Sequence, residues 1–217
     1  VHPGSRAFES LPNVVLVICE SFSMYKSSMS GHPLNSTPYF NQMCNEGIFF
    51  ERCFTPSFGT ARGVFATITG IPDVQLSKFS TRNEESVNQR TIINDFDGYE
   101  KYYFIGGRSQ FNNFKGLVAN INRVHVYEEG SYKAPALNVW GISDKNLFLE
   151  ANEVLSKQQK PFFAIIQTAD NHRPFDIPEE DKDFARDLIT SEDLQKYGFE
   201  SLKEFHAFAY TDYCIKK

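Results

Sequence analysis

The sequence predicts an α/β domain: a three-layer α/β/α sandwich with helices on both sides of a mostly parallel sheet. Three observations carry that prediction. Asn13–Glu20 (NVVLVICE) and Pro161–Thr168 (PFFAIIQT) are short, nearly unbroken apolar runs, the pattern of strands covered on both faces. Amphipathic stretches with helix start and stop signals alternate with such runs, the order of a layered α/β domain. Polar clusters lie shortly after the strand-like runs, and in open α/β sheets ligands bind outside the carboxyl ends of the strands.

The elements follow in chain order. The Asn13–Glu20 run reads as the first strand and ends in a carboxylate. Residues 23–36 are rich in Ser, Gly and Pro and read as loop. Thr37-Pro38 then opens a helix, with Thr37 as N-cap and Pro38 in the first helical position. That helix stops at Gly47. Ile48–Cys53 reads as a second strand, and 60–69 as the helix after the loop 55–60. Lys101–Ile105 reads as a strand ended by Gly106-Gly107. Ser143 caps an amphipathic helix over 144–157, whose Leu147, Phe148, Ala151, Val154 and Leu155 form one apolar stripe. Pro161–Thr168 is the next strand. Pro174–Asp187 is charged and reads as a surface excursion. Leu202, Phe205, Ala209 and Tyr213 recur at helical spacing up to the end of the sequence.

Composition narrows the function classes. The 217 residues suit one ordinary domain or a large part of a bigger one. With 41% hydrophobic and 23% charged residues, disorder is excluded. A net charge of −5 lacks the basic footprint of a general nucleic-acid binder, so no nucleic-acid partner is expected. The longest aliphatic run, Val14–Cys19, is far too short to span a bilayer. The four cysteines have no CxxC spacing, which disfavours a zinc ribbon or a thioredoxin-like motif, and Cys19 reads as a buried free thiol. The opening Val1-His2-Pro3 and the helix running out at Lys217 suggest an excised segment.

Three clusters could carry chemistry: Glu20-Ser21, Gly59-Thr60-Ala61-Arg62, and Asp170-Asn171-His172-Arg173. Parallel neighbouring strands would bring them to one edge. Glu20 is either an edge carboxylate meeting water or a hard oxygen ligand for a divalent cation. Thr60 is either an N-cap or a nucleophile at a helix N-terminus, where the dipole favours an incoming anion. His172 is either a loop residue satisfied by backbone or a donor to phosphate oxygens. Trp140-Gly141 serves packing and turn chemistry or touches substrate. Gly106-Gly107-Arg108 has neither the dinucleotide-binding nor the Walker pattern, and the remaining histidines have no HxH or HExxH spacing.

Taken together, the first-strand run, Gly31-His32-Pro33, the block from Thr37 to Phe50, and the segment from Thr60 to Thr69-Gly70 resemble the start of a sulfatase domain of the alkaline phosphatase superfamily. Thr60 occupies the place of the sulfatases' modified cysteine, with Thr69-Gly70 at the family's spacing. A threonine cannot become formylglycine, which argues against a formylglycine-dependent sulfatase. A single Glu20 after the first strand, in place of the usual aspartate pair, resembles the lipoteichoic acid synthase branch and its phosphoethanolamine-transferase cousins. Asn171-His172-Arg173-Pro174-Phe175 is similar to that branch's Asn-His-x-Pro-Phe. The segment 104–113, with Arg108 and Asn112, resembles its head-group-facing segment, and Trp140-Gly141-Ile142-Ser143-Asp144 resembles its Trp-Gly-x-x-Asp before a helix.

The resemblance implies an alkaline phosphatase-like sandwich in which 1–217 is one sulfatase-type domain lacking its C-terminal part. It implies Thr60 as nucleophile and His172 on the phosphoryl group, with Asn112 in the segment facing the head group. Arg62 and Arg108 are candidate anion clamps because guanidinium matches phosphate geometry, with ordinary surface roles as the alternative, and Trp140 is a further candidate substrate contact. It further implies a divalent ion, commonly manganese with magnesium or zinc as alternatives, held by Glu20, Thr60 and an Asp-His pair that this sequence does not contain. The implied substrate is an anionic lipid or phosphoglycan. The implied location is extracytoplasmic, with membrane anchorage through helices preceding Val1. The expected reaction is metal-dependent transfer or hydrolysis of a phosphodiester head group. A true sulfatase or phosphatase of the same fold, and a non-catalytic binding fragment, are the alternatives. An exposed apolar seam is also expected.

Overall fold

A computed structural model describes residues 10–74, 77–185 and 191–217. Its regular elements are β1 (Val14–Ile18), α1 (Pro38–Glu46), α2 (Thr60–Thr69), α3 (Glu84–Val87), β2 (Glu100–Ile105), α4 (Phe114–Val118), β3 (Val124–Tyr127), α5 (Asp144–Leu155), β4 (Phe162–Gln167), α6 (Ser191–Lys196) and α7 (Leu202–Ile215). Short 3₁₀ turns connect several of them.

The described strands form one sheet in the order β1-β4-β2-β3, and every pairing is parallel. The first strand and the 161–168 strand therefore lie side by side and parallel, as the apolar runs predict. Register decides where the site lies. Ile18 pairs with Gln167, and Gln167 with Ile105, so the carboxyl ends of β1, β4 and β2 finish in one row. The chain leaving each strand emerges at one edge.

Alternate residues of the central strands face opposite layers. On one side Tyr103, Ile105, Phe163 and Ile165 pack with Val64, Phe65 and Ile68 of α2 and Leu117 of α4. On the other, Tyr102, Phe104, Ala164 and Ile166 pack with Leu147, Ala151 and Leu155 of α5. Those two clusters make three layers, and each fully buried large side chain contributes about 1.5–3 kcal/mol. A third cluster joins Leu194, Phe199, Phe205 and Phe208 around α7.

Several sequence expectations change. Ile48–Cys53 is not a strand: it is irregular, with Ile48 86% and Phe50 73% exposed. A strand needs a partner ladder as well as propensity, and none of the described strands pairs with this segment. Phe54 and Phe58 are exposed too, so an apolar stretch of surface runs along 48–58. Thr37 holds the N-cap position of α1 with Pro38 after it, as expected, but its side chain makes no capping bond; the Asp212 carboxylate from α7 takes that part, accepting from Tyr39 N at 3.0 Å and Phe40 N at 2.7 Å. The α5 helix ends at Leu155, short of Lys157. The four-residue β3 was too short to announce itself. The excursion at 174–187 is tied down by Asp181, which meets Lys145 and accepts from Tyr210 Oη at 2.6 Å; its last two residues lie outside the described ones, as does Val1-His2-Pro3.

Candidate active site

The turn after β1 is built by β4. Glu20 N donates to Thr168 Oγ1 at 2.8 Å, and Thr168 N donates to Ile18 O at 3.0 Å. Asn171 Nδ2 donates to the carbonyls of Glu20 and Ser21, both at 3.1 Å. Ser21 sits in the left-handed region at φ 48°, a conformation this bracing stabilises for a non-glycine residue.

That turn aims the Glu20 carboxylate at the start of α2. Thr60 Oγ1 donates to Glu20 Oε2 at 2.7 Å, while Ser21 Oγ donates to Oε1 at 2.8 Å. Thr60 is not the N-cap; Gly59 is, at φ 85° and ψ 139°, and Thr60 is the first helical residue. Its hydroxyl is thus directed to the carboxylate rather than to its own helix, beside the positive end of the helix dipole.

The other candidates separate into near and distant ones. Arg62, on the first turn of α2, is buried, with its guanidinium stacked on the ring of Phe79 at 4.4 Å and near Phe58 at 5.1 Å. His172 follows Asn171 directly. Its Nδ1 lies 2.9 Å from Arg173 O; a carbonyl only accepts, so Nδ1 carries the proton and Nε2 is left for other partners. Trp140 stacks edge-on to His172 with centroids 4.3 Å apart, and its Nε1 donates to the same Arg173 O at 2.7 Å. Arg108, by contrast, is exposed and forks onto Glu129, with Nε 3.0 Å and Nη2 2.9 Å from the carboxylate oxygens. Asn112 has φ 52° and accepts from Arg82 through Oδ1. Neither touches Glu20 or Thr60 through any described contact.

Two buried carboxyls meet at this edge, a pairing the sequence does not show. Asp144 opens α5 and Asp170 follows β4; they are 1% and 3% exposed. Asp144 accepts from Ala169 N at 2.8 Å and Asp170 N at 3.2 Å, and Asp170 accepts from Asp144 N at 2.7 Å. Burial raises Asp144 to about 6, against the pull of those two N–H groups and with the help of the Glu20 charge. Burial, then the neighbouring Asp144 charge, hold Asp170 well above the usual carboxylate range. Each residue was visible in a motif; their pairing across the fold was not. Burial likewise pushes the Cys19 thiol up to about 12, which makes it an inert packing group.

Glu20 and Thr60 offer two hard oxygens side by side, the donor chemistry that suits a divalent cation such as magnesium or manganese. Among the described residues no group of three or more His, Cys, Asp or Glu side chains gathers as a ligand set. The two oxygens fit one side of a metal site.

A family model described as Sulfatase matches residues 12–217. Lipoteichoic acid synthase 1 of Bacillus subtilis is 23% identical over 209 residues, covering 90% of this chain and 32% of that protein. A protein in the alkaline phosphatase superfamily from Vibrio parahaemolyticus superposes with a TM-score of 0.77 at 28% identity, covering 95% of this chain and 49% of that one. The lipoteichoic acid synthase LtaP from Listeria monocytogenes gives a TM-score of 0.78 at 18% identity over 94% of this chain and 50% of its own, a likeness of fold. The chain therefore spans about a third of that Bacillus relative and about half of each of those structures.

Proposed function

The chain belongs to the sulfatase family, and we propose that it carries the nucleophile half of a metal-dependent enzyme that transfers or hydrolyses phosphodiester head groups, phosphoglycerol or phosphoethanolamine. The observation that carries this reading is the 2.7 Å hydrogen bond from Thr60 Oγ1 to Glu20 Oε2 at a helix N-terminus on the carboxyl edge of the sheet. Similarity to proteins named lipoteichoic acid synthase supports a phosphoryl rather than a sulfuryl substrate. Threonine at the nucleophile position supports it again, since it cannot supply the formylglycine of sulfatases.

Glu20 and Thr60 would hold a divalent ion, manganese by family resemblance with magnesium or zinc as alternatives, which when bound lowers the hydroxyl pKa and offsets phosphate charge. The chain's own residues do the rest. Thr60 Oγ attacks phosphorus in line, the bond from phosphorus to the lipid oxygen breaks, that oxygen leaves as an alcohol with the proton Thr60 gives up, and a threonine-linked phosphodiester that keeps the head group forms. The Thr60 proton starts on the hydrogen bond to Glu20. Charge on the equatorial oxygens meets the N-terminus of α2 and, with both ring nitrogens protonated, His172 Nε2–H, since Nδ1–H is spent on Arg173 O and a bare Nε2 only accepts. Arg62, two residues on in the same first turn, is a candidate anion clamp whose guanidinium stacks on Phe79. An acceptor hydroxyl, of water or a sugar, then attacks the same phosphorus, takes the phosphoglycerol or phosphoethanolamine group, and gives its proton back to Thr60 as the Oγ–P bond breaks.

The whole protein is proposed to work on an anionic lipid or phosphoglycan at the outer face of a membrane. No helix among the described residues is long and apolar enough to cross one. The test is to incubate the intact protein with a phosphoglycerol lipid and Mn²⁺, quench in acid, and map the adduct by mass spectrometry. A phosphoglycerol adduct on the Thr60 peptide is expected. Turnover without an adduct, with Thr60→Ala still active, would refute the covalent route, and release of sulfate from aryl sulfates alone would favour the sulfatase alternative.

A further inference from the structure

The Trp140-to-Asp144 motif is left unused by this mechanism, yet it contacts the His172 loop at both ends. From its first residue, Trp140 Nε1 donates to Arg173 O at 2.7 Å and the indole ring meets the His172 imidazole at 4.3 Å. From its last, the Asp144 carboxylate accepts from Ala169 N and Asp170 N, at 2.8 and 3.2 Å, and Asp144 N donates back to Asp170 Oδ2 at 2.7 Å. The loop between, Asp170-Asn171-His172, is gripped before and after the imidazole.

The strap is itself anchored. A Cβ on Gly141 would stand 2.0 Å from Gly106 O, and one on Gly107 2.5 Å from Trp140 O. Gly141 also has φ 109°. Only glycines permit this backbone crossing, which pins the strap to the end of β2, and Ile142 N donates to Gly106 O at 3.3 Å. Gly106-Gly107, which has no phosphate-binding pattern, thus has a packing role: it seats the strap.

We propose that the 140–144 strap is the positioning device for His172, with Trp140 and Asp144 as positioning residues that act on the reaction only through that imidazole. This rests on the proposed phosphoryl role of His172. Arg173 O, held by the indole N–H, is the acceptor for His172 Nδ1–H; it fixes the tautomer and turns Nε2 away from the loop. Asp144 fixes the peptide from which the loop departs. Two neighbouring buried carboxyls are costly, and their reciprocal bonds to each other's backbone N–H are what a rigid, dry anchor for that loop would need. Trp140, a candidate substrate contact or packing residue in the sequence, becomes a support.

The test uses Trp140→Phe, Asp144→Asn and His172→Ala in the intact protein, singly and combined. Loss of a supporting partner of this kind lowers kcat by roughly 10–100-fold, with KM for the head-group donor little changed. In the His172→Ala background the same substitutions should add less than about twofold. Independently of activity, side-chain ¹⁵N NMR of the five histidines, assigned with His172→Ala, should show His172 held as the Nδ1–H form and released to a tautomer mixture in both strap variants. Should Asp144→Asn fail to fold, Trp140→Phe, which removes one N–H and keeps the ring, decides alone. Wild-type kcat in folded strap variants, full losses persisting without His172, or an unaltered imidazole signal would each overturn the proposal. Absence of head-group release in the wild type would refute the proposed function and leave the NMR result to judge the strap.

Discussion

Replacing Thr60 by alanine separates chemistry from stability, and the structure fixes both magnitudes. The side chain makes one described hydrogen bond, to Glu20 Oε2 at 2.7 Å, and caps nothing, since Gly59 is the N-cap. A hydrogen bond to a charged group is worth about 1.5–3 kcal/mol net when well shielded. This one is half-exposed, and Glu20 keeps the Ser21 hydroxyl, so a loss of about 1 kcal/mol is expected. Alanine returns a few tenths, ~0.5 kcal/mol at most, through its better helix propensity. The net cost is under about 1 kcal/mol, a drop in Tm of less than about 4 °C for a domain of this size. Removing a covalent nucleophile should instead lower kcat by on the order of 10⁴-fold or more. Thermal denaturation by circular dichroism reads the first, and head-group release from a phosphoglycerol lipid with Mn²⁺ reads the second. Thr60→Ser, which keeps the attacking oxygen, should retain measurable turnover. Cooperative melting lost together with activity in Thr60→Ala, or turnover within tenfold of wild type (roughly 1.4 kcal/mol), would refute the reasoning.

Four further outcomes are expected. Asp212→Ala removes the acceptor for two N–H groups of α1 and should cost about 2–3 kcal/mol in urea denaturation, with Asp212→Asn costing less because one oxygen remains. Gly141→Ala would drive its Cβ against Gly106 O at 2.0 Å; a loss on the order of 2–5 kcal/mol is expected, read as a lower Tm. Asp144 is raised from its ordinary range to about 6, so the folded state holds its proton more tightly than the unfolded one. Its contribution to stability is therefore greatest at low pH and falls as pH rises through about 6; Asp144→Asn should flatten the pH–stability curve between about 4 and 6. Finally, Phe54→Ser within the exposed apolar stretch should reduce self-association in sedimentation velocity while leaving Tm unchanged.

The sequence by itself determined the layers and most of the edge. The mostly β-branched run at 14–18 and the apolar run at 162–167 read as strands, and the amphipathic stripe of 144–155 as a helix lying on them. The β4 strand is covered on both faces as expected, whereas β1, at one end of the described strand order, leaves Val15 49% exposed. Those assignments placed Glu20 and the Asn171-His172 cluster just past strand ends. Local pattern failed where pairing decides. Ile48–Cys53 has strand composition but no ladder, and β3 is a strand because β2 offers one. Capping was legible in position but not in partner: Thr37 is the N-cap residue of α1, yet the first N–H groups are met by a carboxylate 175 positions away in α7. The residue-to-residue geometry of the site belongs wholly to tertiary structure. The row Ile18, Gln167, Ile105 brings three distant loops together. It decides between the two readings of Thr60, which donates to Glu20 and is not the N-cap, and it leaves Arg108 facing Glu129. It also joins Asp144 to Asp170, because only a folded sheet places the start of one helix against the loop leaving a strand 26 residues later.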